Sequence, residues 1–263
     1  MIATLRNLLR RPARRPPPVV PDGERVYAIG DIHGRLDLLR ALLAQIDADA
    51  AGRAPARTTI ILLGDLVDRG PDSAGIIAAI RQWRETRHMR ILCGNHEEMF
   101  LRAFEDSTVM EAFLRFGGSE TLLSYGVDGH ALRQAAPAEA QQLMRAAVPD
   151  RDIAFLHSLE NSIVVGDYLF VHAGIRPGIP LDGQRIWDLR WIREPFLGHG
   201  ADHALFVVHG HTITGEPDTQ TNRIGIDTGA YQTGRLTALG LEGSERWLLQ
   251  TLPADDGDAA PNR

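Results

Sequence analysis

Along the first hundred residues the apolar positions change period three times, always in the same order. Residues 25–29 form a short apolar run that predicts a strand. Leu36, Leu39, Leu42, Leu43 and Ile46 then recur at helical spacing and predict a helix over 35–47. The run at 59–63 predicts a buried strand. Pro71 and Asp72 after it can open a helix that turns Ile76, Ile77, Ile80 and Trp83 inward. A third strand over 89–93 precedes a helix carrying Met99, Phe100 and Phe104. Strand, turn and helix repeated three times predict parallel strands joined by right-handed crossovers.

The pattern changes between about 107 and 160. Short helices are expected over 110–116, 119–125 and 137–147, broken at Gly117, Gly118 and Gly126, as a helical insert over the site rather than a second domain. From 162 the runs shorten to strand length, at 162–165, 168–172, 204–209, 223–227, 236–241 and 247–251. Their close spacing with intervening glycines suggests antiparallel neighbours. The whole reads as an α/β sandwich, two sheets with helices outside.

Composition narrows the function classes. The 263 residues carry a net charge of −6, which gives no overall basis for a stable nucleic-acid partner. All 28 basic residues are arginine, so a phosphate clamp must use Arg, His, backbone amides or metal. Cys93 is the single cysteine; it excludes an intrachain disulfide, fits a cytoplasmic setting, and reads as a small buried strand residue. No stretch approaches the ~20 apolar residues of a membrane span. Residues 1–23 form a basic, proline-rich arm, expected to be disordered and suited at most to weak contact with an anionic surface, and 253–263 form a polar tail. Without a large exposed apolar helix, a monomer is the expectation.

Polar chemistry sits in five glycine-punctuated turns, each directly after an apolar run. They are Gly30-Asp31-Ile32-His33-Gly34, Gly64-Asp65-Leu66-Val67-Asp68-Arg69-Gly70, Gly94-Asn95-His96-Glu97, Val171-His172-Ala173-Gly174 and Val208-His209-Gly210-His211-Thr212. One such turn proves little, because Asp and Asn favour turns for local reasons. Five in order would converge on one edge of a sheet. Asp31, His33, Asp65, Asn95, His172 and His211 offer carboxylate, amide and imidazole without thiolate, a set that suits Mn²⁺, Fe or Zn²⁺. Six ligands are too many for one ion with an open position and suit two ions bridged by Asp65. Asp68 and His96 remain as a pair that can protonate a leaving alkoxide, and Arg69 as a bidentate phosphate clamp.

These motifs closely resemble the calcineurin-like metallophosphoesterases, and within them the phosphoprotein phosphatases, whose signature runs GDxHG, GDxVDRG, GNHE, HxG and GH followed by Thr. The likeness spans about 25 to 240. It is greatest to small bacterial and phage serine/threonine phosphatases, through Met99 after GNHE, the Gly117-Gly118 insert and the Ile-Asp-Thr-Gly-Ala segment at 226–230. The resemblance implies a four-layer αββα sandwich of mixed sheets, as one catalytic domain over 24–252. It implies a first metal held by Asp31, His33 and Asp65, and a second held by Asp65, Asn95, His172 and His211, with manganese favoured. It places Asp68 and His96 as the acid pair, and Arg69, Arg193 and Asn95 on the phosphate, with Arg190 competing for the role of Arg193. His209 is assigned to strand filling or a supporting place. A metal-bridging hydroxide would attack phosphorus in line, without a phosphoenzyme.

The substrate implied is a phosphorylated protein or small phosphate ester. The alternative is symmetrical diadenosine tetraphosphate hydrolysis, but that group typically has Ala where this chain has Asp68. A catalytically silent adaptor is disfavoured because every ligand and Asp68, Arg69 and His96 are present.

Overall fold

Each strand of the centre presents two apolar faces, and this alternation builds the layers. The computed structural model describes residues 16–251. In chain order the elements are β1 (Glu24–Ile29), α1 (Leu36–Ala51), β2 (Arg57–Leu62), α2 (Ser73–Trp83), β3 (Met89–Ile91), α3 (Asn95–Glu105), α4 (Met110–Phe113), α5 (Ser119–Ser124), α6 (Gly129–Gln134), α7 (Pro137–Ala147) and α8 (Asp150–His157). They continue with β4 (Ile163–Val165), β5 (Tyr168–Phe170), α9 (Ile186–Trp191), β6 (Phe206–His209), β7 (Asp218–Thr219), β8 (Arg223–Gly225), α10 (Ala230–Thr233), β9 (Thr237–Glu242) and β10 (Glu245–Gln250).

The first sheet has the order β10-β9-β1-β2-β3, and the second the order β4-β5-β6-β8-β7. Tyr27, Ile29, Ile60 and Leu62 face α1 and α2, packing with Leu39, Leu42, Ile46, Ile77 and Ile80. Val26, Ala28, Ile61 and Leu63 point the other way, onto Tyr168, Phe170, Phe206, Val208 and Ile224 of the second sheet. Leu169, Val171 and Val207 cover the far face with Leu189, Ile192 and Phe196. The result is the mixed four-layer sandwich, with a thin outer layer where the six-residue α9 stands alone. Met110, Phe113, Leu122, Met144 and Phe155 of the insert share the core of α1–α3.

In the first sheet β1, β2 and β3 are parallel, as the repeated strand–helix pattern predicts. In the second, the antiparallel expectation holds for β4–β5 and for β7–β8, but β5, β6 and β8 run parallel. Their crossovers are irregular segments without a long helix, so apolar periodicity gives no sign of them. The five polar turns therefore meet at the carboxyl ends of strands from two facing sheets, not along one edge. The helix expected over 110–116 ends at Phe113, where a wide turn over Leu114–Gly118 brings Gly117 to φ 110°. α6, α8, α9, α10 and the two-residue β7 are additional to the elements read from the sequence.

The arm expected to be disordered through residue 23 is corrected over its last residues. Val20 is buried and its amide donates to the Gly243 carbonyl at 2.9 Å, while Val19 exchanges hydrogen bonds with Asp167. The remainder of the arm, residues 1–15, and the tail from 252 lie outside the described residues. Among the described residues no helix is long and apolar enough to cross a membrane.

Candidate active site

Glycine lets the turns lie backbone on backbone. A Cβ on Gly34 would stand 2.6 Å from the Gly70 carbonyl carbon, so only glycine lets the first two turns close together. His33, Asp65, Asp68, Arg69 and His211 all have positive φ, between 45° and 71°. Non-glycine residues in this region cost about 1–3 kcal/mol each, and such outliers cluster at functional sites. Every positive-φ non-glycine among the described residues is one of the residues singled out from the sequence.

Asp65 stands at the centre. Its carboxylate lies 3.6 Å from His33 Nε2, 3.5 Å from His172 Nε2 and 4.0 Å from His96 Nε2. Two groups of donors lie within 4.8 Å of one another, His33–Asp65–His96 and Asp65–His172–His211, and Asp65 is common to both. Asn95 Oδ1 joins the second, 2.9 Å from His172 Nε2 and 2.8 Å from His211 Nδ1. Asp31 stands on the His211 side and accepts its backbone N–H at 3.1 Å.

The chemistry of this donor set fits cations. His33 Nδ1 donates to the Val67 carbonyl at 2.8 Å and His172 Nδ1 to the Leu63 carbonyl at 2.9 Å. In the neutral rings, Nε2 then presents a lone pair toward the Asp65 carboxylate, and acceptors converge on acceptors. Burial holds these rings neutral, bringing His33 and His211 each down to about 3 and lowering His172. Buried His211 Nε2 has no hydrogen-bond partner. Burial and the neighbouring Asp227 and Asp65 raise the Asp31 carboxyl well above its ordinary range. Positive charge between these groups would satisfy all of them. In the first group the Arg69 guanidinium supplies it, Nη1 donating to His33 Nε2 at 2.9 Å and Nη2 to His96 Nε2 at 2.8 Å.

Asp68 and His96 are paired, His96 Nδ1 lying 2.7 Å from Asp68 Oδ2, with both side chains buried. Burial pulls the His96 imidazole down, but Asp65 and the bond to Asp68 outweigh it and the net shift is upward. The two candidate arginines of the fourth turn differ. Arg190 is engaged by Glu98 at 3.3 Å and by Asn161 at 2.7 Å. Arg193 is exposed, its side chain has no hydrogen bond or ion pair among the described residues, and it lies close enough to help depress the His211 imidazole. His209 faces away, edge-on to Phe196.

Four residues of the site were not assigned a place from the sequence. Glu97, fully buried, accepts the backbone N–H groups of Asp65, Leu66, Val67 and Gly94 at 2.7–3.3 Å and so fixes the second turn to the third. Thr121 bonds Asp68 from the insert. Asp227, following β8, is raised to about 6 by burial and stands beside Asp31. The half-buried Tyr231 ring lies 4.9 Å from the Arg69 guanidinium carbon and 5.3 Å from the His33 ring. Glu97 and Asp227 fall inside quoted motifs, which was an available signal; Thr121 and Tyr231 carry none.

The calcineurin-like phosphoesterase profile matches residues 24–227. Serine/threonine-protein phosphatase 1 of Salmonella typhimurium is 31% identical over 222 residues, covering 81% of this chain and 89% of that protein. The asymmetrical bis(5'-nucleosyl)-tetraphosphatase of Bacillus velezensis is 24% identical, covering 80% and 86%. A solved structure of a candidate diadenosine tetraphosphatase superposes with a TM-score of 0.63 at 21% identity, covering 89% of this chain and 98% of that one. Family profile, relatives and fold agree with the geometry, and the chain belongs to the calcineurin-like phosphoesterase family.

Proposed function

We propose that the protein is a dinuclear-metal phosphomonoester hydrolase of the protein-phosphatase type. The observation that carries this reading is the Asp68–His96 pair at 2.7 Å, set against a donor cluster that shares Asp65. Asp31, His33 and Asp65 would hold one ion, and Asp65, Asn95, His172 and His211 the other. When bound, the ions supply Lewis acidity toward the phosphoryl oxygens and lower the pKa of a water nucleophile.

The rest is done by side chains of this chain. Arg69 turns from the two imidazoles to the phosphate oxygens, where its planar fork binds two of them. Arg193, whose side chain is free of protein partners among the described residues, closes from the opposite side. His96, protonated at Nε2, gives that proton to the leaving oxygen as the P–O bond breaks, while Asp68 holds Nδ1–H and orients the ring. Asn95 at the first turn of α3 would offer its Oδ1 to the ion and its NH₂ to a phosphate oxygen. Mn²⁺ in a cytoplasmic monomer completes the proposal.

Dinucleoside polyphosphate hydrolysis is the second reading, favoured by the names of the relative from Bacillus velezensis and of the superposed structure. A competition panel with Mn²⁺ decides between them. Phosphoserine, phosphothreonine and phosphotyrosine peptides should be turned over in preference to diadenosine tetraphosphate. Preference for the dinucleotide would transfer the assignment to the second reading, and no metal-dependent turnover of p-nitrophenyl phosphate, of any phosphopeptide or of the dinucleotide would end both.

A further inference from the structure

The helical insert places one hydroxyl against the acid pair. Thr121 of α5 is fully buried, and its Oγ1 donates to Asp68 Oδ1 at 2.7 Å while accepting the Asp68 backbone N–H at 2.9 Å. Ser73, also fully buried, lies 3.0 Å from Thr121 Oγ1 and accepts the same N–H at 3.1 Å. One hydroxyl thus holds both the backbone and the carboxylate of a residue at φ 71°. Asp68 Oδ1 is taken, so only Oδ2 is left to face His96 Nδ1.

We infer that Thr121 is a positioning residue for proton donation: it fixes Asp68, and through Asp68 the ring and proton of His96. The inference rests on the reading of His96 as the donor to the leaving oxygen. In that step a water-derived oxygen forms the new bond to phosphorus as the ester P–O bond breaks; the electron pair of the broken bond goes to the ester oxygen and the Nε2 proton moves to that oxygen, leaving a neutral imidazole with Nδ1–H on Asp68. Without the Thr121 hydroxyl the Asp68 carboxylate regains freedom to rotate, and the His96 ring loses its fixed partner.

The test is the dependence on leaving group. An alkoxide leaves poorly without a proton, whereas p-nitrophenolate needs little help. With Mn²⁺ bound, Thr121→Val should lower kcat on a phosphoserine peptide by roughly tenfold or more, the scale of a hydrogen bond to a charged group. On p-nitrophenyl phosphate the loss should stay below about threefold, with KM little changed on both. Thr121→Ser, which keeps the hydroxyl, should restore the phosphoserine rate. Thr121→Ala removes the hydroxyl without placing a methyl against the Asp68 amide and gives the ratio a second time. Equal losses on the two substrates, or a change confined to KM, would overturn the inference. His96→Asn separates the two levels: if it too slows both substrates alike, the proton-donor reading itself falls. If His96→Asn shows the leaving-group dependence and neither Thr121→Val nor Thr121→Ala does, only the role of Thr121 falls.

Discussion

Glu97 shows how one side chain can carry a site without touching substrate. Both of its oxygens are committed, Oε1 to Leu66 and Val67 and Oε2 to Asp65 and Gly94. Glu97→Gln exchanges one acceptor oxygen for an NH₂ that meets two backbone N–H donors. The loss should be about 3 kcal/mol, a fall in Tm of roughly 6–12 °C for a domain of this size, read by thermal denaturation. Neutral Gln at full stability would show that these bonds contribute little. The same residue marks the limit of what sequence reveals. Asp31, His33, Asp65, Asn95, His172 and His211 were legible because glycine-bounded turns after strands are short-range signals. The part played by Glu97 was not, because four amides from two turns meet it only in the fold. Thr121 was less legible still: a lone threonine in a short helix looks the same whether it caps a turn, faces water or holds an aspartate.

Among the elements, the insert differs most from its expected place. It does not only cover the site; it supports the second turn from the side. The Arg69 amide donates to the Gly117 carbonyl at 3.1 Å, and a Cβ on Gly117 would stand 2.6 Å from that same nitrogen. Gly117→Ala should therefore cost about 1–3 kcal/mol and displace Arg69. Inhibition by inorganic phosphate should weaken along with stability; a variant destabilised but with phosphate inhibition intact would disconnect the insert from Arg69. The second sheet shows the opposite case, where elements were found but not their directions. Runs at 204–209 and 223–227 were readable as strands, but direction depends on the crossover. The only α-helix between β5 and β6 is the short α9, which leaves no sustained period to detect.

For the whole molecule, the buried carboxylates and lone pairs at the junction of the two sheets are a strain that bound cations would relieve. Metal should therefore act on folding as well as turnover. Saturation of one site at a hundred times Kd stabilises by about 2.7 kcal/mol, so Mn²⁺ should raise Tm by several degrees and chelation should lower it, as measured by calorimetry. An unchanged Tm would mean that the donors here do not hold the ion. The apolar layer between the sheets, from Val26 to Ile224, contains none of these donors.

Val20 reaches the Gly243 turn and Val19 reaches the Gly166-Asp167 turn, so one short segment clasps a hairpin of each sheet. Both turns lie at the end of the sandwich opposite the polar turns, since β5 leads away from one toward His172 and β1 pairs its first residues with the end of β9. A tether or affinity support attached ahead of Pro16 would hold the molecule at the end opposite the five polar turns and leave those turns facing bulk solution.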